Sequence, residues 1–162
     1  MKSRSTAFAL LVVISFGSTL NAADIDTDSA QNFIKEWAET FNKNDPEKLS
    51  AFYERGKVTI VIVSSGLRYR GFDSIQEIFR ESQEQVRFNE SSPMKMETRV
   101  LGDTALVTFE HVFKIRILAD GSHWQVHIRT TSVLRRVSDK WKIALEHSSA
   151  IRGVERMTRI DD

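Results

Sequence analysis

From Met94 to Ser149 the chain alternates apolar and polar residues, and three turn signals punctuate it: Gly102-Asp103, Asp120-Gly121 and Ser138-Asp139. A period of two marks a strand with one buried face, and Asp-Gly is a strong two-residue hairpin signal. If each signal closes a tight turn, the register follows by counting. Met94 is expected opposite His111, His111 opposite Thr130, and Thr130 opposite His147. Residues directly opposite share a face, so this register can be checked. It places Phe109, Phe113, Ile128, Leu134, Ile143 and Leu145 on one side, and Lys95, Lys114, Arg129, Arg135, Lys142 and Glu146 on the other. One apolar and one charged face specify an antiparallel meander.

The last strand of that meander carries an unusual core face. Trp141, Ile143, Leu145, His147 and Ser149 fall on it, with Lys142, Ala144, Glu146 and Ser148 behind. A core face that ends in a histidine and a serine suggests the lining of a pocket.

Helical signals precede the meander. Ala30, Phe33, Ile34, Trp37, Ala38 and Phe41 form one apolar stripe. Asn44-Asp45-Pro46 restarts a helix, with Asp45 as N-cap and Pro46 at the first helical position. Leu49, Phe52 and Tyr53 supply its inner face, and it is expected to end near Gly56. Val58 to Val63 reads as a buried strand, Ser64-Ser65-Gly66 as a turn, and Leu67 to Arg70 as a short return strand. A third helix is expected from about Asp73, with Ser74 and Glu77 spaced for a capping box. Asn89 to Pro93 reads as loop, and the tail from Ile151 to Asp162 shows no regular pattern.

The 162 residues, 41% of them hydrophobic, suit one domain with a proper core. Met1 to Ala22 reads as a secretory leader: Lys2 and Arg4, an apolar run from Ala7 to Phe16, then small residues up to Ala22. Cleavage after Ala22 would leave residues 23–162 as a single domain in the periplasm or outside the cell. It would also leave 21 basic against 22 acidic residues, a net charge of −1. That balance offers no basic stripe to nucleic acid, or to a membrane once the leader is gone. The absence of cysteine excludes thiol chemistry and thiolate metal sites.

The order helix, helix, hairpin, helix and long meander resembles the SnoaL-like branch of the nuclear-transport-factor-2-like superfamily. The resemblance is carried by Gly102-Asp103-Thr104-Ala105-Leu106-Val107-Thr108, Asp120-Gly121, Arg129-Thr130-Thr131-Ser132-Val133, Trp141-Lys142-Ile143 and His147-Ser148-Ser149. It implies an α+β cone, with N-terminal helices packed on a curved, mostly antiparallel sheet in the order α-α-β-β-α-β-β-β-β. It also implies a pocket at the wide end, and dimerisation through the outer sheet face. It does not fix function, because sites are grafted onto folds.

Polar residues expected on the inner face are His111, Thr130, Ser132, His147 and Ser149, joined by Trp37, Tyr53 and Tyr69 from the helices and the short hairpin. His111 and His147 are the candidate acid and base, since histidine titrates near neutrality. The competing reading makes both of them hydrogen-bonded core histidines. The outer face offers Arg129, Thr131, Glu146 and Glu110 to a dimer interface. No metal site is expected, because a third ligand is missing beside the two histidines, and no cofactor is implied. In the isomerase and cyclase types of this superfamily the resemblance implies a carboxylate inside the pocket; here the expected inner face has none. In the dehydratase types it implies a Tyr-Asp pair late in the first helix, where this chain has Phe41 and Asn42. In the kinase-hub types it implies pocket arginines, one at the position of Ser132. The expected function is therefore binding of a small hydrophobic or aromatic molecule, with proton transfer, isomerisation or dehydration open, against a non-catalytic dimerisation module. A cavity of roughly 300 Å³ or more would favour the binder.

Overall fold

The computed structural model describes residues 22–56, 60–63 and 65–160. The expected leader lies outside them except for its last residue, Ala22, which opens helix α1 (Ala22–Phe41). Helix α2 (Pro46–Ser50), strands β1 (Ile60–Ile62) and β2 (Arg68–Arg70) and helix α3 (Phe72–Gln85) follow. Then come β3 (Val86–Leu101), β4 (Thr104–Ile117), β5 (His123–Val137), β6 (Lys140–Ser149) and β7 (Met157–Arg159). The sheet order is β2-β1-β6-β5-β4-β3, with β7 pairing β5 beyond the end of β6. Every pair of these strands is antiparallel except β1 against β6, and the bridge of Tyr53 to Ile143 is parallel as well. The fold is the expected α+β cone, with an unclosed curved sheet around the helices.

The helices form for the reasons legible in their residues. Ala30, Ile34, Trp37, Ala38 and Phe41 are the buried stripe of α1. Asp45 caps α2 by accepting the Lys48 backbone N–H at 2.9 Å. This helix ends at Ser50, well short of Gly56. The segment after it pairs with the sheet: Glu54 N–H donates to the Ile143 carbonyl, and Ile143 N–H donates to the Phe52 carbonyl. Tyr53 is thereby held against β6. Helix α3 starts at Gly71, whose φ of 86° suits glycine; no side chain caps it, so the Ser74–Glu77 capping box does not form.

Several expectations along the sheet are corrected. Asn89 to Pro93 belongs to β3, where a register shift falls between Phe88 and Glu90. Beside this shift Asn44 satisfies the Phe88 backbone, its Oδ1 accepting from Phe88 N–H at 2.9 Å and its Nδ2 donating to the Phe88 carbonyl at 3.1 Å. The tail forms β7 and ties to β5 through His127 N–H to the Arg156 carbonyl. Gly102-Asp103 closes a two-residue turn as expected, but an irregularity between Met94 and Glu97 sets Met94 opposite Glu110. The Asp120-Gly121 turn is longer than two residues. Asp120 Oδ1 accepts from Ser122 N–H and Oγ–H, and Ile117 pairs back to Ser122. This slides β5 by two positions, which preserves the faces and puts His111 opposite Ile128.

The decisive departure is in β6. Leu134 pairs Ile143 but Val133 pairs Leu145, so Ala144 is an extra residue, a β-bulge. The partner edge changes at the same place, from the Tyr53 segment at Ile143 to β1 at Leu145–His147. A one-residue slip turns every following side chain to the other face. Glu146 and Ser148 become buried and His147 exposed. Leu145, expected in the core, joins Leu106 and Val133 in a row across the outer face.

Because the chain has no cysteine, single replacements report this facing directly. His147→Cys should react with a maleimide like an exposed thiol, and Ser148→Cys should be protected in the folded protein. Mass spectrometry of the labelled variants checks this, and the reverse order would refute the bulged register.

Candidate functional site

The cone encloses a cavity of about 280 Å³, just under the ~300 Å³ at which ligand pockets ordinarily begin. Its walls are mostly apolar, including Trp37 and Phe41 from α1, Phe79 from α3, Phe88 from β3 and Phe113 from β4. Helical spacing in α1 and alternation in β4 bring these rings onto facing surfaces. The polar groups on the wall are few: Glu146, Ser148, Ser82 and His111.

Glu146 is the group the bulge delivers. Its carboxylate accepts a hydrogen bond from the Tyr53 hydroxyl at 2.5 Å. Burial pushes its pKa up to about 7, against the smaller opposing effect of the tyrosine bond. Tyr53 is itself 1% exposed. Burial first, and the adjacent Glu146 second, hold its hydroxyl well above its ordinary value, so it remains a donor. The Trp37 indole acts slightly the other way, although its Nε1–H closes no hydrogen bond of proper geometry. Beside Glu146, Ser148 Oγ and Thr130 Oγ1 are 3.0 Å apart.

His111 does not have the role expected of it. It is fully buried and lies 3.8 Å, centroid to centroid, from the Phe113 ring, with Trp37 at 5.3 Å. Its Nε2 shares a hydrogen bond of 2.7 Å with Ser91 Oγ, while Nδ1 has no partner. Burial lowers its pKa to about 3, so it is a neutral core histidine at physiological pH. His147 is exposed on the opposite face, and the two imidazoles cannot work on one substrate.

The remaining sequence-derived positions divide accordingly. Trp37 and His111 border the cavity. Thr130 and Ser132 are buried inward, but the Ser132 hydroxyl has no hydrogen-bond partner. Tyr53 stands behind Glu146, and Tyr69 packs half-buried against the core from β2. Ser149 follows His147 past the bulge and does not line the cavity. On the outer face Arg129 lies between Glu110 and Ser149, and Thr131 lies between Thr108 and His147. Glu110 binds Lys95 at 2.9 Å and His127 at 3.0 Å. Glu146 leaves this outer set altogether. Sequence reasoning missed Glu146 as a site residue because nothing about Ala144 announces a bulge.

An open groove of about 760 Å³ also runs between α1 and the β5–β6 hairpin, along Phe33, Phe52 and Trp141. Its charges, Asp28, Glu36, Asp139, Lys140 and Lys142, are of both signs and mostly solvated. The cone holds the more perturbed chemistry and is the better candidate. Among the described residues no group of three or more His, Asp or Glu could hold a metal ion. No described helix is long and apolar enough to cross a membrane.

Residues 30–153 match the family model described as a SnoaL-like domain. No curated protein matches. Among solved structures, a nuclear transport factor 2-like superfamily protein from Salmonella enterica serovar Typhimurium superposes with a TM-score of 0.70 at 20% identity, covering 82% of this chain and 97% of that one. A ketosteroid isomerase-like protein from Erwinia carotovora atroseptica gives 0.67 at 17%, covering 78% and 96%. A candidate scytalone dehydratase from Novosphingobium aromaticivorans gives 0.70 at 12%, covering 85% and 89%. At these identities the likeness shows the fold.

The buried Glu146 and His111 act on stability in opposite directions. Glu146 has a raised folded pKa, so its protonated form is stabilising at low pH, and stability falls as pH rises from about 4.5 to about 7. His111 has a depressed one, so stability is fully present above 6.5 and is lost as pH falls towards 3. Glu146→Gln should therefore match the parent near pH 4.5 and exceed it by ~1–3 kcal/mol at pH 8. Urea unfolding at the two pH values measures this.

Proposed function

The chain belongs to the SnoaL-like domain family, and from that premise we propose that its cone binds a small hydrophobic or aromatic molecule, with Glu146 addressing the polar end of that molecule. One observation carries this reading: an apolar cavity that ends on a buried carboxylate. Keeping that acid ionised inside the fold costs on the order of 3 kcal/mol at alkaline pH, a large share of a domain's net stability. A mere scaffold gains nothing from such a group, and it would fill the space beside it with side chains. The volume suits one ring with a short chain.

A proton-transfer role is the second reading, and Glu146 favours it. A carboxyl group that titrates near 7 is matched to taking and returning a proton at neutral pH. The carboxylate whose expected absence argued against isomerase-type chemistry is present, and the isomerase-like and dehydratase-like proteins of the same fold support this reading. Phe41 and Asn42 still offer no acid where the dehydratase types carry theirs. If there is chemistry, it runs through Glu146 with Tyr53 as the hydrogen-bond donor beside it.

A plug tests the binding reading. Val126→Phe at the cavity wall should weaken binding of 2-naphthol, followed by quenching of tryptophan fluorescence, by at least about tenfold, the loss expected when a pocket is filled. Equal quenching in parent and variant would refute the cone as the site.

Export of the chain and pairing of two copies through the outer sheet face belong to the same reading. Leu106, Val133 and Leu145 give that face an apolar row beside the polar ends of Arg129, Thr131 and Glu110, the mixture found at interfaces. Arg129→Glu should lower the sedimentation mass towards that of one chain; an unchanged mass would remove this face as the interface.

A further inference from the structure

Among the described residues, the carboxylate of Glu146 has no positive partner. It accepts a hydrogen bond from the neutral Tyr53 hydroxyl, and burial is the main influence on its ionisation, followed by that bond. Among the described residues, no Lys or Arg lines the cavity, and His111 is held neutral by its own burial. The other walls are aromatic and aliphatic, with the rings of Trp37, Phe41, Phe79, Phe88 and Phe113 around the space. Ring faces attract cations through their quadrupole. A buried charge without a counter-charge is costly, and a charge-assisted hydrogen bond recovers much of that cost.

We propose that the ligand of the cone is a small hydrophobic amine, bound as its ammonium ion with an N–H donated to Glu146 and its carbon substituents packed on the aromatic walls. This rests on the reading of the cone as a ligand site. It sharpens that reading because three ligand classes meet this wall differently. A carboxylic acid brings like charge to Glu146 and finds no cation. A neutral alcohol donates one hydrogen bond to the carboxylate but leaves its charge unmatched. An ammonium ion supplies the absent counter-charge. The wall also ranks the amines. Besides Glu146, only Ser148, Ser82 and His111 offer polar atoms there, and the Ser148 hydroxyl is already engaged with Thr130. A primary ammonium would bring three donors to a site with few acceptors, so a tertiary ammonium, with one, fits best.

Three probes of similar size separate these classes at pH 8: N,N-dimethylphenethylamine, 4-phenyl-2-butanol and 3-phenylpropionate, each titrated calorimetrically. The amine is expected to bind at least about tenfold more tightly than the alcohol, the advantage of meeting the carboxylate with a full counter-charge, with the acid weakest. Glu146→Gln should abolish the preference for the amine while leaving alcohol binding within about twofold. Tyr53→Phe, which removes the one donor already on the carboxylate, should enlarge the preference, and it keeps the test available should the glutamine variant misfold. Alcohol binding as tight as the amine, or an amine preference that survives in Glu146→Gln, overturns the amine assignment and leaves the cone reading standing. Failure of all three probes to bind the folded protein overturns both.

Discussion

Strand β6 is held by different partners along its two edges, and the bulge at Ala144 reconciles them. On one edge β5 runs continuously from Val137 to Arg129. On the other, the segment around Tyr53 pairs at Ile143, and β1 takes over at Leu145. The extra residue falls where the partner changes. Everything distinctive about the cone follows from it. The bulge puts a carboxylate in the core and delivers it to the tyrosine that the same segment carries. It also sends Leu145 outward, where Leu106 and Val133 already make an apolar row. Fold and site share one cause.

The cone then has to tolerate that carboxylate. Two buried titratable side chains face the cavity, and they differ in kind. His111 is packed among rings, with one nitrogen on Ser91, and stays neutral. Glu146 has a donor at 2.5 Å and a cavity beside it, and it can still ionise. Both border the cavity, and the difference is charge: the carboxylate can ionise towards a ligand, whereas burial keeps the imidazole neutral. This is why the glutamate carries the functional argument and the histidine serves the core.

Much of the fold could be read from residue patterns, because most elements are specified redundantly. The stripe of α1, the Asp45-Pro46 start of α2 and the Gly102-Asp103 hairpin each rest on local chemistry that tertiary context did not override. The turn at Asp120-Gly121 was longer than its dipeptide suggested, but a two-residue slide preserves parity and did no harm to the faces. The site was less legible for the same physical reason. One unpaired residue between Ile143 and Leu145 leaves no mark of composition, since a bulge of this kind needs neither glycine nor a positive φ. Strict alternation was the strongest pattern in that strand, and it pointed the wrong way beyond Ala144. Tyr53, by contrast, was visible as an inward residue of the α2 segment, although its acidic partner was not.

Alternation in a strand behaves like a reading frame, and Ala144 is its frameshift. Upstream of it the strand shows Trp141 and Ile143 to the interior; downstream it shows Glu146 and Ser148. Taking that one residue into the ladder, with no bulge, would show the interior Leu145, His147 and Ser149 instead. Gain or loss of a single bulge can thus exchange the acid for an imidazole without a substitution at any lining position. Because different sites can be grafted onto one fold, a register change of this size is a short path between them. It would also be nearly invisible in any comparison that counts only which residues differ.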